Sequence, residues 1–260
     1  IDVFNSGSSS ETVCLNGNLN DLEVEASGSA TLTYAWYQNG SNSNSGGTVI
    51  SGETNDNYAP STATPGTIYY YSVVTNSCGS ATSSTVGITV RSALAISSHP
   101  SGGSDVCVGG SPSAMSVSAT GGTSSYTYQW KSSTSSGGSY SSISGATNSS
   151  YTPSASSSGT KYYKAVVTDA GGCGSVTSNA AGQTVDVTSV GGTLSGGGVT
   201  ICQGGTYSLT LSGHTGDVTK WQWYHSALGS WTDISNTTTT QSSALVMAGT
   251  YQFRAVVTNG

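Results

Sequence analysis

The chain has 260 residues, enough for two or three domains, and its composition excludes several classes of protein. Six Lys and Arg face twelve Asp and Glu, so the net charge is −6 and too few cations are present to neutralise a nucleic-acid backbone. No apolar run approaches the roughly 20 residues that a membrane-spanning helix needs. Neither nucleic-acid binding nor a membrane span is expected. The first residue is Ile1 rather than Met, which favours a mature or partial chain.

Short alternating runs of apolar residues predict an all-β fold. Charged residues make up only 7% of the chain and glycine occurs 36 times, as in many disordered proteins. Disordered chains are poor in aromatic residues, however, and this chain has 15 Tyr and 5 Trp. The apolar residues alternate between turn-rich segments, which is the pattern of short strands. No segment keeps the i, i+3, i+4 spacing of an amphipathic helix over three turns.

The first copy of a repeat covers residues 1–91. After Cys14, one predicted strand carries Trp36, and a turn-rich segment follows at residues 50–55. A Gly-Thr pair at residues 66–67 then opens a later strand, because glycine tolerates the positive φ of a tight corner. Residues two apart share one face of a strand, so each of these strands points large side chains inward.

The same elements return in a second and a third copy with a period near 93 residues. The equivalent sets are Cys14, Cys107 and Cys202; Trp36, Trp130 and Trp223; Tyr70, Tyr163 and Phe253; Tyr71, Lys164 and Arg254; and the Gly-Thr pairs at 66–67, 159–160 and 249–250. The tryptophans together with Tyr70, Tyr163 and Phe253 are the predicted core aromatics, and Tyr71, Lys164 and Arg254 are predicted to point outward.

A period this long is too great for a solenoid repeat and matches an Ig-sized sandwich of about 100 residues. We therefore predict tandem Ig-like β-sandwich domains, arranged as beads on a string. The predicted domains are residues 1–91, 92–187 and 188–260. The third is expected to be incomplete and to lack its last strand, which leaves a sheet edge open to a strand from a neighbour.

The cysteines predict one disulfide within each complete copy. Cys14 and Cys78 are 64 residues apart, and Cys107 and Cys173 are 66 apart. Such pairs point to an oxidising compartment and, in the chain-entropy model, stabilise each copy by about 4 kcal/mol. Cys202 is left over, and truncation of the third copy before its partner is the favoured explanation. An intermolecular bridge and a functional thiol are the alternatives.

Catalytic and metal-binding motifs find little support, so no enzyme activity and no cofactor are expected. His99, His214 and His225 lie at non-equivalent positions of the repeat. His214 and Asp217 are close in sequence, but a hairpin turn is favoured over half of a catalytic dyad. The segment 55–57 contains carboxylate and amide oxygens that suit calcium, yet its equivalent at 148–150 lacks a carboxylate, which favours an ordinary turn.

Exposed aromatic residues are the remaining candidates for a binding surface. Tyr69, Tyr71, Tyr140 and Trp231 fall at edge or outward positions of the predicted strands. Stacking on sugar rings is one interpretation. The favoured interpretation is that these rings cover a sheet flank or contact the next module.

The repeat resembles a known class of surface proteins. The pattern consists of Tyr-Ala-Trp-Tyr at residues 34–37, Ile-Ser-Gly-Glu-Thr-Asn at 50–55, Tyr-Ala-Pro at 58–60 and Cys-Gly at 78–79, and most of it returns in the second copy. It resembles the Ig-like repeats of giant secreted surface proteins of Bacteroidota, among them gliding-motility adhesins of the SprB type. The third copy departs from the pattern at residues 239–241, where a Tyr-x-Pro turn is expected.

The resemblance implies a long cell-surface filament exported by the type IX secretion system, with adhesion to substrata or polysaccharide. The predicted function is therefore a non-catalytic stalk segment of an extracellular adhesin, with further copies of the repeat as neighbours. One alternative is a subunit of an extracellular filament or pilus, in which a strand such as residues 2–5 completes a neighbour's sheet. A second is a carbohydrate-binding accessory module of a secreted enzyme.

Overall fold

The computed structural model describes residues 2–4, 10–28 and 30–259, and every regular element in those ranges is a β-strand. Module 1 contains β1 (Asp2–Phe4), β2 (Ser10–Cys14), β3 (Leu22–Glu25), β4 (Thr33–Asn39), β5 (Thr48–Val49), β6 (Asn57–Tyr58), β7 (Gly66–Asn76), β8 (Gly79–Thr82) and β9 (Val86–Arg91). Module 2 contains β10 (Ala95–Ser98), β11 (Val106–Cys107), β12 (Met115–Ser116), β13 (Ser118–Thr120), β14 (Tyr126–Ser133), β15 (Ser141–Ser142), β16 (Ser150–Tyr151), β17 (Gly159–Asp169), β18 (Ser175–Thr177) and β19 (Ala181–Asp186). Module 3 contains β20 (Thr193–Ser195), β21 (Thr206–Ser212), β22 (Asp217–His225), β23 (Trp231–Ile234), β24 (Thr240–Ala244) and β25 (Tyr251–Thr258).

Modules 1 and 2 each contain one large sheet and smaller ladders, which in module 2 are β10-β13 and β12-β16, whereas module 3 contains two sheets of three strands each. In module 1 the order β1-β3-β6 forms one sheet and β2-β9-β7-β4-β5 the other, with β8 also paired to β7. Module 2 repeats the larger sheet as β11-β19-β17-β14-β15 with β18 paired to β17. Module 3 contains β20-β21-β24 and β23-β22-β25. Since β1 pairs with β3 of its own module, the described part of the predicted donor segment 2–5 is already engaged; Asn5 lies outside the described residues.

Three separate clusters of buried side chains hold the modules together. Trp36, Trp130 and Trp221 are fully buried, one in each cluster. Tyr70 and Tyr163 are each 3% exposed, as predicted, and Phe253 is partly buried against the third cluster. Burial and, to a smaller extent, the neighbouring Tyr58 raise the pKa of Tyr70 to about 12.

The placement of Trp223 at the core position of module 3 was wrong. Trp221 faces Ala255 across the sheet, just as Trp130 faces Ala165 in module 2. Trp223 is two residues further along the same face, where it is half-buried and pairs with Phe253. The core tryptophans of the second and third copies are therefore 91 residues apart, close to the shift of 90 residues in the later strand.

The atypical turn of module 3 is compensated by a neighbouring strand. Gln241 occupies the register position of Tyr58 and Tyr151, facing Leu209 of β21. The missing ring is supplied by Tyr207, whose centroid lies 4.5 Å from that of Phe253. The Gln241 amide donates to the Tyr207 hydroxyl at 3.3 Å. The apolar core is therefore retained with a different residue.

The predicted glycine corners are confirmed. Gly66, Gly159 and Gly249 have φ values of 139°, 120° and 143°, a region that side-chain-bearing residues rarely adopt. Gly66 and Gly159 begin the strand at the centre of the larger sheet of their modules, and Gly249 lies two residues before β25, the equivalent strand of module 3. The backbone geometry thus explains why this residue type recurs at the same place.

Candidate functional site

A disulfide joins the first two modules to each other. It links Cys14 of module 1 to Cys173 of module 2, with 5.4 Å between the Cα atoms. Cys78, Cys107 and Cys202 are free and exposed. The predicted pairs Cys14–Cys78 and Cys107–Cys173 are therefore wrong, and the modules are not independent beads at this junction.

Strand register explains why the cysteines of one module do not pair. Cys14 faces Arg91 in the parallel β2–β9 pair, and Val90 faces Gly66, so Cys14 lies level with the first residue of β7. Cys78 follows the other end of this strand of 11 residues. At about 3.3 Å per residue, the two thiols are roughly 30 Å apart, whereas a disulfide needs Cα atoms within about 7 Å.

The same logic applies to module 2 and sets the direction of the cross-link. Cys107 faces Asp186, beside the start of β17, and Cys173 follows the end of that strand. Modules 1 and 2 therefore each carry one cysteine at the end where the chain leaves the module and one at the end where the chain enters it. Consecutive modules bring unlike ends together, which is why Cys14 meets Cys173.

Asp169 holds the Cys173 hairpin in place. Its carboxylate accepts hydrogen bonds from the backbone N–H and the hydroxyl of Thr123, at 2.7 and 2.8 Å, and from the N–H of Cys173 at 3.1 Å. Burial raises the pKa of Asp169, but these hydrogen bonds outweigh it and lower the pKa below its ordinary value. Sequence reasoning missed this residue, because its counterpart in module 1, Asn76, accepts the N–H of Cys78 at 2.8 Å from a different spacing, two residues before the cysteine instead of four.

The linker is fastened to the same end of module 2. The N–H of Gly122 donates to the carbonyl of Ser92 at 2.8 Å, and Leu94 is only 7% exposed. Gly121 has a φ of 82° and lies against the backbone of Ala93, so a side chain there would clash with the linker. The linker contacts and the disulfide together restrain the junction between modules 1 and 2.

Module 3 differs at the edge of the sheet β23-β22-β25. Among the described residues β25 pairs only with β22, whereas β7 and β17 have partners on both sides. In module 1 the second partner, β9, buries Val86 and Ile88 in the core. The corresponding region of module 3 is a cleft of about 260 Å³, whose lining includes Tyr207, Trp223, Tyr251 and Phe253. The edge and the cleft form an open, largely aromatic groove.

The aromatic residues proposed for the outer surface are all engaged by the protein itself. Tyr71 lies outside the core cluster, on the opposite face of β7 from Tyr70, yet it is only 3% exposed because it stacks on Tyr37 at 5.1 Å and accepts the N–H of Gly47 at 3.1 Å. A cation covers two of the other rings: Lys164 lies 4.5 Å from the ring centroid of Tyr140, and Arg254 lies 4.2 Å from that of Trp231. Tyr69 is half-buried, and its ring lies where a side chain on Gly87 would project.

The histidines occupy structural positions. His225 is 4% exposed, and its Nε2 lies 3.2 Å from the carbonyl of Ala248. His99 accepts the N–H of Asn179 at 3.0 Å. The segment 212–217 connects β21 to β22 in the opposite sheet, so the predicted hairpin there was wrong. Asp56 uses its backbone carbonyl to accept the N–H of Val24.

Within residues 2–4, 10–28 and 30–259, no group of three or more His, Cys, Asp or Glu side chains is arranged to hold a metal ion. No helix in those ranges has the length and apolar character required to cross a bilayer.

A protein family matches nearly the whole chain. The family described as "Domain of unknown function (DUF8696)" matches residues 3–92, 97–188 and 190–260. The chain belongs to this family. No curated protein sequence matches it.

Solved structures of similar architecture are tandem Ig-type domains. The chain is 11% identical to titin domains I67–I69 in an E-to-A mutated variant, with a TM-score of 0.53 over 96% of this chain and 92% of that one. It is 12% identical to the I-band fragment I67–I69 from titin, with a TM-score of 0.51 and the same coverage. Extracellular domains 3–5 of Drosophila OTK are 18% identical over 68% of this chain and 59% of that one, with a TM-score of 0.40. The titin likenesses confirm the tandem Ig-like β-sandwich fold.

Proposed function

We propose that this DUF8696 chain is a non-catalytic stalk segment of a secreted bacterial cell-surface adhesin. The observation that carries the proposal is the disulfide between Cys14 and Cys173, which joins the facing ends of consecutive modules. A catalytic site needs groups converging on a substrate, whereas this bond acts on the geometry between domains. Its effect is to restrict bending and rotation at the junction, as a stalk that holds a distant tip requires.

Composition and redox state support an extracellular location. Disulfides persist in oxidising compartments and are rare in the cytosol. With 7% charged residues, the surface is built largely from Ser, Thr and Gly, which offer few sites for non-specific ionic contacts. The resemblance to repeats of gliding-motility adhesins supports the proposal that the chain is exported by type IX secretion. It also supports further copies of the repeat and surface polysaccharide as the proposed partners.

The experiment compares Cys14→Ser with Cys78→Ser by small-angle X-ray scattering. Both variants replace one cysteine of module 1, but only Cys14→Ser removes the disulfide at the junction, because Cys78 is free. We expect an extended particle for the unaltered chain and for Cys78→Ser, and a broader distribution of interatomic distances for Cys14→Ser. A compact globule, or identical profiles for the two variants, contradicts the stalk.

A second function, subunit of a filament assembled by strand complementation, is favoured by the open groove of module 3. A strand added along β25 would satisfy the backbone groups of that edge and bury its apolar side chains in the cleft beside Tyr251 and Phe253. A synthetic peptide with the sequence of β9 (Val86–Arg91) tests this. We expect it to raise the melting temperature of the chain, while a peptide of the same composition in scrambled order does not. An equal effect of both peptides argues against strand complementation.

A further inference from the structure

We propose that the outward face of the large sheet of module 2 binds the carboxylate groups of an acidic polysaccharide. The site is formed by Lys131 of β14 and Lys164 of β17, with the ring of Tyr140 beside them. It rests on the proposed stalk function and deepens it, because it gives the side of the stalk a ligand of defined chemistry.

The two lysines are directly opposite each other in the antiparallel β14–β17 pair. Their neighbours along the strands, Trp130 and Ala165, are buried in the core, so Lys131 and Lys164 point away from it. Side chains at opposite register positions have Cβ atoms about 5 Å apart, and like charges there destabilise a sheet. Two of the six cations of an acidic chain are therefore held side by side at a cost to stability.

The protein supplies no counter-ion for this pair of cations. Neither lysine forms an ion pair with any described residue. The acidic residues of module 2 are Asp105, Asp169 and Asp186. Asp169 is five residues beyond Lys164 on β17, roughly 17 Å away, and Asp186 follows the residue that faces the other end of that strand. Asp105 precedes β11, which pairs with β19 and not with β14 or β17. A bound anion would remove the repulsion between the two ammonium groups.

Module 3 carries a carboxylate at the equivalent place. In module 2, Lys131 follows the buried tryptophan of its strand and faces Ser142 of the edge strand β15. In module 3, Gln222 follows the buried tryptophan and faces Asp233 of β23. The Asp233 carboxylate accepts a hydrogen bond from Gln222 at 2.5 Å and forms an ion pair with Lys220 at 2.7 Å. Module 3 thus neutralises this face internally, whereas module 2 has only a hydroxyl there.

A tyrosine ring next to the lysines favours a sugar as the carrier of the anion. The Lys164 ammonium lies 4.5 Å from the ring centroid of Tyr140, whose hydroxyl donates to the carbonyl of Ser136 at 3.0 Å. The ring is therefore held beside the charges, and it is only half-buried. The electron-rich face of an aromatic ring attracts the C–H groups of a sugar ring. The two ammonium groups can donate charge-assisted hydrogen bonds to the carboxylate of the same sugar.

The same face lacks the centre of a protein interface. Such interfaces are built around desolvated apolar side chains. In the described part of module 2, the large apolar side chains that are exposed are Val108 and Val187, and neither belongs to β14, β15 or β17. A polar face with one ring beside two charges suits an extended acidic sugar chain better than a folded partner.

Surface plasmon resonance of the full chain on immobilised polygalacturonate tests the site, with fully methyl-esterified polygalacturonate as the uncharged reference. We expect binding to the acid form alone, and weaker binding at high salt. Lys131→Gln removes one charged donor and should weaken binding by about tenfold. Lys161→Gln is the matched control, because it removes the same charge from the opposite face of β17 and should leave the affinity unchanged.

Ser142→Asp distinguishes loss of the site from loss of the fold. It places a carboxylate opposite Lys131, as Asp233 stands opposite Gln222 in module 3. The new carboxylate competes with the ligand and should also weaken binding by about tenfold. Because it pairs with a lysine across the strands, the melting temperature should not fall.

Several results overturn the proposal. Equal binding to the methyl ester, an equal loss in Lys161→Gln, or no binding by the unaltered chain excludes the carboxylate site. Binding of polyglutamate with the same affinity shows recognition of any polyanion and not of a sugar. Salt-sensitive self-association that Lys131→Gln abolishes assigns this face to the acidic module 1 of another copy.

Scattering separates this site from the stalk function on which it rests. All of the variants should keep the extended profile expected of the unaltered chain. A compact profile of the unaltered chain contradicts the stalk function, whereas an extended profile without binding to polygalacturonate contradicts the site alone.

Discussion

Trp36, Trp130 and Trp221 each combine full burial with one hydrogen bond to a turn. Their indole N–H groups donate to the carbonyls of residues 55, 148 and 238 at 3.0, 2.9 and 2.9 Å. A buried indole needs such an acceptor, because an unpaired polar group in the core costs free energy. The turn-rich segment that recurs in sequence therefore recurs for a physical reason: it supplies the acceptor for the tryptophan.

Replacing Trp221 and replacing Trp223 should have very different effects. Trp221→Ala removes a fully buried ring and should destabilise module 3 by about 3–5 kcal/mol. Trp223→Ala removes a half-buried ring at the rim of the cleft and should cost less than half as much. Denaturant unfolding followed by circular dichroism measures both. Equal losses would show that the core of module 3 is not centred on Trp221.

The sequence predicted the all-β class, the repeat and most of the core. This was possible because a half-buried strand alternates apolar and polar residues with a period of two, which is visible in one sequence. It could not choose between Trp221 and Trp223, since both lie on the same face and both are aromatic. The choice depends on a register irregularity between Val218 and Lys220 in the β22–β25 pair, which shifts the start of the strand against its partner. The burial of Tyr71 was not predicted, because the residue that covers its hydroxyl, Gly47, lies in a loop and not in a strand.

Tyr70 should make module 1 sensitive to alkaline conditions. Its pKa in the folded chain is about 12, above the ordinary value of 10.0, so the neutral phenol stabilises the fold below pH 10. That contribution is lost as the pH rises from 10 through 12. Tyr70→Phe should retain its stability at pH 8, because Phe253 occupies the same position in module 3, and should lose less stability at pH 11. Thermal unfolding at the two pH values checks this, and an unchanged pH dependence contradicts it.

At the scale of elements, a buried serine separates the last two strands of module 1 and of module 2. Ser83 separates β8 from β9, and Ser178 separates β18 from β19. The hydroxyl of Ser178 accepts the N–H of Ala165 at 2.9 Å and donates to the carbonyl of Asn179 at 2.9 Å. Ser83 makes the same pair of bonds, to Ser72 and Ser84. The hydroxyl replaces ladder hydrogen bonds where the strand shifts its pairing.

Ser178→Ala should destabilise module 2 by about 1–3 kcal/mol, because it leaves the buried N–H of Ala165 without that acceptor. Ser175→Ala is the matched control, since Ser175 is exposed on the adjacent β18 and should change stability very little. Chemical denaturation of both variants gives the comparison. If the two substitutions cost the same, the hydroxyl of Ser178 is not a structural acceptor.

At the scale of the whole molecule, the cysteine pattern was visible in the sequence and its pairing was not. The similar spacings of Cys14 to Cys78 and of Cys107 to Cys173 are as consistent with bonds within modules as with bonds between them. The deciding quantity is the position of each thiol along the strands, and it appears only when the register of β2 against β9 is known. When the two cysteines of a module lie at its opposite ends, disulfides form between neighbouring modules. The repeat period alone does not show at which end each cysteine lies.

The cross-link also determines which residues bear a mechanical load. Tension applied to the two ends of the chain passes along the backbone to residue 14, crosses the sulfur–sulfur bond to residue 173, and continues into module 3. Residues 15–172 lie on a closed covalent loop outside this path and cannot be drawn out, even if their strands separate. About 100 residues remain extensible, so full extension is limited to roughly 350 Å instead of roughly 900 Å for the open chain. An intact disulfide thus limits how far the chain extends under load. Its reduction allows residues 15–172 to extend as well.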